Sequence, residues 1–216
     1  MIVTIDGPAG SGKSSAAKAL AARLGFQFLD TGAMYRALAF AALRDHIEPI
    51  ESLGFAHWLN SLRVEATPEI LRVNGLDVLP FIRTPEITAL ASRLATLASV
   101  RTLLVDLQRR AAVGRNLVCE GRDQGTVVFP DAECKFFLVA DPTERARRRH
   151  RELHMRGQSL SLEEVLAAQD ERDRRDAERD VSPMRPADDA IVLDSTNLTL
   201  DEVVGRMESE VRRCGT

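Results

Sequence analysis

Lysine is scarce in this chain: of its 29 Lys and Arg residues, only Lys13, Lys18 and Lys135 are lysines. The skew reads as compositional bias, yet it makes the place of each lysine informative. Cysteine is scarce too. Cys119, Cys134 and Cys214 are odd in number and show no C-x-x-C spacing, which argues against a disulfide framework or a zinc ribbon and fits a reducing compartment. No apolar run approaches the ~18 residues of a membrane span, and the chain opens directly on the strand pattern MIVTID, without the pattern of a leader. Net charge is nearly balanced at −3, against a protein that wraps nucleic acid or coats an acidic membrane. What is present is globular. With 44% apolar and 28% charged residues, 216 positions suffice for one cytoplasmic α/β domain, with or without a small insert.

Residues 1–6 read as a buried strand, followed by GPAGSGKS and by SSAAKALAARLG, a helix that Gly25 stops. FQFLD (26–30) is a second strand, and TGAMYRALAFAALRDH (31–46) a second helix with Thr31 as its N-cap. Strand, helix, strand, helix is the cadence of a parallel sheet covered by helices. The rhythm then changes. Residues 62–67 and 70–79 alternate around Asn74-Gly75, a hairpin signal, so 62–80 is expected to be a small antiparallel insert. A helical region follows Pro85 to about residue 113. NLVCEG (116–121) and KFFLVA (135–140) resume the apolar strands, 142–180 is helical and densely charged, IVLD (191–194) is the last strand, and LTLDEVVGRMESEVRRC closes as an amphipathic helix.

The strongest motif is G-x-x-x-x-G-K-[ST], met by Gly7, Pro8, Ala9, Gly10, Ser11, Gly12, Lys13 and Ser14, with Ser15 next in the helix. It falls between a strand and a helix, as phosphate binding requires. The glycines let backbone N–H groups converge on phosphate oxygens, and the helix points its positive end at them. Lys13 reaches the β- and γ-phosphates, and the Ser14 hydroxyl is a ligand for Mg²⁺. A phosphate loop implies a nucleoside triphosphate but names no acceptor.

Arginines supply the next clue. DTGAMYR (30–36) begins at the carboxyl end of the second strand, where open α/β sheets place ligands, so Thr31 and Arg36 are candidates; a capped helix with a surface Arg reads equally well from that segment alone. Glu120-Gly121-Arg122-Asp123 follows the third strand, with a carboxylate placed to hold metal-bound water and a second Arg for phosphate. Arg145, Arg148 and Arg149 share one helix face, as do Arg172, Asp176 and Arg179. The stretch 141–186 carries 11 Arg against 11 acidic residues, so most of its charges are expected to form a solvated, salt-bridged surface.

GPAGSGKS, DTGAMYRA (30–37), EGRDQGTVVFPDA (120–132) and ERDRRDAERD (171–180) together resemble the bacterial cytidylate kinase family of nucleoside monophosphate kinases, essentially end to end. The resemblance implies an α/β P-loop NTPase fold: a five-stranded parallel sheet flanked by helices, with a small antiparallel β insert in the monophosphate-binding region. It implies one kinase domain with a core over 1–30 and 114–216, a monophosphate-binding region over 31–113 and a lid at about 144–160. The implied activity is phosphorylation of CMP and dCMP by ATP with Mg²⁺, by a monomer with no polymer or membrane partner. By position, Lys13 and the lid arginines Arg145, Arg148 and Arg149 would serve catalysis. Arg36, Arg122 and Arg179 would hold the acceptor phosphate, and Arg172 and Asp176 would reach the ribose. Ser92, Arg101 and Asp123 would contact cytosine, with Thr31 and Tyr35 in the same substrate region. Ser92 and Arg101 are nine residues apart, out of phase on one straight helix, so the resemblance also requires a helix break between them, near Ser99. Thr31 stands where the family commonly has Ser, and Gln124 where an apolar residue is usual. The alternatives are a kinase for UMP, AMP or a metabolite such as shikimate, or a P-loop NTPase switch. A switch should end a strand in consecutive carboxylates, whereas LVCEGRD has a single Glu followed by Gly.

Overall fold

A computed structural model describes residues 1–155 and 157–214. In chain order the elements are β1 (Ile2–Asp6), α1 (Lys13–Leu24), β2 (Gln27–Asp30), α2 (Thr31–Arg44), α3 (Leu53–Ser61), β3 (Val64–Ala66), β4 (Leu71–Val73) and β5 (Leu76–Asp77). They continue with α4 (Pro85–Leu94), α5 (Ala98–Ala112), β6 (Leu117–Glu120), a π-helical turn (Gln124–Val128), β7 (Cys134–Val139), α6 (Pro142–Met155), α7 (Leu162–Glu178), β8 (Ile191–Asp194) and α8 (Leu200–Cys214). Two compact units result, one of residues 1–28 and 115–216 and one of residues 29–114.

The five-stranded sheet has the order β2-β6-β1-β7-β8. β1 pairs parallel with β6 and with β7, and β7 pairs parallel with β8. Register aligns Ile5 with Glu120, Asp6 with Phe137, and Val139 with Asp194, so these strands deliver their carboxyl ends to one edge. Val3, Ile5, Phe136 and Leu138 pack with Ala16 and Leu20 of α1 and with Val203, Val204, Met207 and Val211 of α8. Small residues on α1 let that helix lie close to the strands, and Gly25 in the left-handed conformation ends it as expected.

In the second unit the three short strands form an antiparallel sheet, β3-β4-β5, closed by Asn74 and Gly75, both at positive φ as a primed hairpin turn requires. α2 buries Ala33, Met34, Ala37, Leu38, Ala41 and Ala42 and packs on α4 and β4. One expectation needs correcting. Asp30, not Thr31, is the N-cap of α2: its carboxylate accepts from the Ala33 N–H at 2.8 Å, and Thr31 is the first helical residue. The short helix α3, N-capped by Ser52, stands out only in the structure. The helical region after Pro85 is two helices, α4 and α5, bent by 99° across residues 95–97. This break lies just before Ser99, whose hydroxyl sits in the first turn of α5 and donates to Glu51. Among the described residues no single helix is long and apolar enough to cross a membrane. All three cysteines are free, and burial pushes the thiols of Cys119 and Cys134 up.

Candidate active site

The loop between β1 and α1 forms around backbone that only glycine tolerates. Gly7, at φ +145°, runs so close to β7 that a Cβ there would lie 2.1 Å from the Leu138 carbonyl oxygen. Lys13 opens α1, is buried, and donates from Nζ to the Pro8 carbonyl at 2.9 Å. Burial, then the nearby Arg122 charge, pull its amino group down to about 7, against the pull of Glu120. One residue on, the Ser14 hydroxyl donates to the Glu120 carboxylate, at 2.6 Å to Oε1 and 2.7 Å to Oε2. A hydroxyl and a carboxylate beside a phosphate loop form an oxygen-only donor set, the kind that suits Mg²⁺. The Ser11 hydroxyl is buried with no hydrogen-bond partner among the described residues. A cavity of about 560 Å³ opens beside the loop, lined by Ser11, Gly12, Ser15, Arg148, Asn197 and Leu200 among others.

Past β6, the chain is fixed by a residue that no local sequence motif marks. Asp6 ends β1 fully buried, and its carboxylate accepts from the N–H groups of Gln124 at 2.9 Å and Gly125 at 2.8 Å. These bonds hold the π-helical turn that begins just after Asp123. Burial outweighs both amides and raises the Asp6 carboxyl to about 7. Arg122 Nε donates to Asp176 of α7 at 2.9 Å, and Arg172 stands 4.0 Å from the same carboxylate. Burial works against the charge on Asp176, but Arg122, Arg172 and Arg179 more than offset it and hold its carboxyl below the usual range. Arg179 pairs with Asp123 at 3.6 Å, both nearly enclosed. Arg122, Asp123, Arg172, Asp176 and Arg179 are therefore one ionic cluster joining the β6 loop to α7.

Arg145, Arg148 and Arg149 share a face of α6 but have separate contacts. Arg145 is buried and donates to the carbonyls of Ala9 at 2.9 Å and Ala140 at 3.2 Å and to Asp173. Arg148 donates to the Ser195 and Thr196 carbonyls at 2.7 and 3.1 Å, and Arg149 pairs with Glu152 at 2.7 Å.

In the unit of residues 29–114, Arg36 is pinned to Asp30 at 3.1 Å, and its buried Nε has no hydrogen-bond partner among the described residues. Arg83 adds a second cation 3.5 Å from Asp30. Arg101 is buried near the start of α5, with its guanidinium 5.9 Å from the Tyr35 ring centroid and donating to the Ala95 carbonyl at 3.3 Å. Ser92 and Thr31 are buried on α4 and α2.

A parallel sheet with a glycine-rich phosphate loop at the end of β1 gives the protein the fold class of P-loop NTPases. Comparable folds are TT1252 from Thermus thermophilus (TM-score 0.51, 22% identity, covering 100% of this chain and 98% of that one) and shikimate kinase from Bacteroides thetaiotaomicron (TM-score 0.51, 13% identity, 98% of each). Sequence is more specific. The profile of the cytidylate kinase family matches residues 3–213. Cytidylate kinases from Rhodopirellula baltica and Geobacter sulfurreducens are 46% and 47% identical to the chain, covering 99% and 98% of it and 93% of each relative. The chain belongs to the cytidylate kinase family.

Proposed function

We propose that this chain transfers the γ-phosphoryl group of ATP to a phosphate oxygen of CMP or dCMP, giving ADP and CDP or dCDP. Family membership over residues 3–213 carries the reading, because a phosphate loop alone leaves the acceptor open. The backbone N–H groups from Gly10 to Lys13 cradle the donor phosphates. Lys13 exchanges the Pro8 carbonyl for phosphate oxygens, which are better acceptors for a buried ammonium. Ser14 and Glu120 would hold Mg²⁺, which when bound neutralises charge on the donor phosphates. The donor base enters the cavity beside Ser15, Arg148 and Asn197.

Arg36, Arg122 and Arg179 hold the acceptor phosphate, and their guanidinium forks suit phosphate better than ammonium groups would. Asp176 and Arg172 take the sugar. Asp123 and Ser92 accept from the cytosine 4-amino group, while Arg101 donates to the ring nitrogen and the 2-carbonyl. Arg145, Arg148 and Arg149 belong to a lid over about 144–160 that excludes water, since an open site would spend ATP on hydrolysis. The reading includes a cytoplasmic monomer with no polymer or membrane partner.

The test is a panel of CMP, dCMP, UMP and AMP with ATP and Mg²⁺, scored for diphosphate product. CMP and dCMP are the expected acceptors, and ATP consumption should be slow without one. Equal ATP consumption with and without CMP would instead identify a switch-type NTPase, and a preference for UMP or AMP another monophosphate kinase.

A further inference from the structure

The loop that cradles the donor phosphates is held from outside by α6 and α7. Ala9, near the tip of that loop, has both of its backbone hydrogen-bonding groups taken by side chains more than a hundred residues away. Its N–H donates to Asp173 Oδ1 at 3.0 Å. Its carbonyl accepts from Arg145 Nη1 at 2.9 Å and Gln169 Nε2 at 3.0 Å. Asp173 also pairs with Arg145, so the three side chains close a small network around one residue of the loop. The neighbouring Gly10 permits this approach. It lies at φ +74°, and a Cβ there would stand 2.5 Å from Gln169 Nε2 and 3.0 Å from the Arg145 carbonyl oxygen.

All three side chains are engaged here by protein groups. Arg145 is spent on the Ala9 and Ala140 carbonyls and on Asp173, and is 6% exposed. Gln169 and Asp173 lie one turn apart on the same face of α7, the face turned to the loop. Asp173 also lies next to Arg172, three residues before Asp176 and six before Arg179. The first two share its helix and Arg179 is that helix's C-cap, so a helix that keeps its hydrogen bonds carries them with Asp173 when it moves. The Arg122–Asp176 and Asp123–Arg179 pairs extend the connection to the β6 loop.

We propose that Asp173 is a positioning residue that hooks α7 onto the donor loop at Ala9, so that filling the donor site pre-sets the acceptor-binding cluster of Arg172, Asp176 and Arg179. The inference rests on the kinase reading above for what the two sites bind. Its physical content is a coupling between sites, and such couplings are commonly about 5- to 150-fold in affinity. The carboxylate is suited to the role because it joins two partners, a neutral N–H and a guanidinium. Asparagine would keep an acceptor oxygen for the Ala9 N–H while losing the charge that holds Arg145.

Calorimetry of CMP binding, with and without a saturating non-hydrolysable ATP analogue, reads the coupling directly. In the wild type the analogue should tighten CMP binding by about tenfold, within the usual range of coupling. In Asp173→Ala the factor should fall toward one, and Asp173→Asn should recover part of it. Amide exchange at Ala9, measured without ligand, should quicken in Asp173→Ala, a change that requires no substrate assignment. Should Asp173→Ala fail to fold, Gln169→Leu takes its place, with a smaller loss of coupling expected. A folded Asp173→Ala protein with the wild-type factor overturns the proposal, as does unchanged exchange at Ala9. A wild type that binds CMP without coupling overturns it too, leaving the kinase reading intact. A wild type that neither binds nor phosphorylates CMP overturns that reading and the proposal together.

Discussion

Lys13 is pulled in two directions by one environment. Burial, then Arg122, lower its amino group from 10.5 to about 7, whereas bound phosphates favour the ammonium. Between about pH 7 and 10.5 the unfolded chain therefore binds more protons than the folded one at this site, and its contribution to folding stability rises with pH across that window. Donor binding reverses the shift and draws a proton in. At pH 8, titration of a non-hydrolysable ATP analogue in buffers of different ionisation heat should report uptake of about one proton by the wild type and much less by Lys13→Ala. Equal uptake in both proteins would remove Lys13 from the linkage. The same substitution should cost on the order of 10²-fold or more in turnover with the fold retained, as loss of a preorganised charge does. Asp6 has the opposite sign. Its carboxyl is raised from 3.8 to about 7, so the folded chain holds the extra proton and this site's contribution falls as pH rises through that window. Denaturant unfolding of wild type and Asp6→Asn should show the wild type's margin over the variant shrinking from pH 4 to 7.5; a constant margin would contradict the assignment. These two residues also differ in legibility. Lys13 is legible because its motif is local, strand to loop to helix. Asp6 is invisible because its partners, the Gln124 and Gly125 amides, lie 118 and 119 residues away.

Helices and strands were legible where their signals are local. Gly25, the Asn74-Gly75 turn and the apolar runs of β1, β6, β7 and β8 fall where the sequence pattern places them. The helix α3 is harder to see: it is nine residues long, contains Gly54, and buries only Phe55 and Leu59. Sequence alone puts the cap of α2 one residue late because Asp30 and Thr31 are both good N-caps, and what selects Asp30 is its second task, pairing with Arg36. Both tasks should fail together in Asp30→Ala. Stability should drop by about 1 kcal/mol in urea unfolding, as for other lost caps. The KM for CMP should rise more than the KM for ATP, because Arg36 loses its orientation. An unchanged CMP KM would separate Arg36 from the acceptor. The bend between α4 and α5 is what the Ser92–Arg101 assignment requires, and the Arg101 guanidinium reaches back to the Ala95 carbonyl at the end of α4. For α6, amide exchange across 144–155 should slow with an ATP analogue and CMP together, beyond the effect of either alone; no added protection would count against a closing lid.

Across the whole chain, charge is balanced but not uniformly spent. Arg147, Arg149 and Arg175 make helical ion pairs with Glu144, Glu152 and Glu171, the solvated pattern that such a stretch suggests, and each contributes little to stability. Arg122, Arg145 and Arg179 are enclosed and engaged with Asp176, Asp173 and Asp123. Helical spacing alone does not separate these two groups, because it states which residues share a face and not what that face meets. The partner we propose for this enclosed chemistry is a cytosine nucleotide. In the proposed reading the Asp123 carboxylate accepts from the cytosine 4-amino group, whereas uracil would present a carbonyl oxygen there. An unmatched buried acceptor costs about 1–3 kcal/mol, more when charged. The most direct measurement is kcat/KM for CMP and for UMP in the wild type and in folded Asp123→Ala. The wild type should favour CMP by roughly 10- to 1,000-fold, and the variant should bring the ratio toward one. A wild type that prefers UMP, or a ratio that survives the loss of Asp123, would contradict the account.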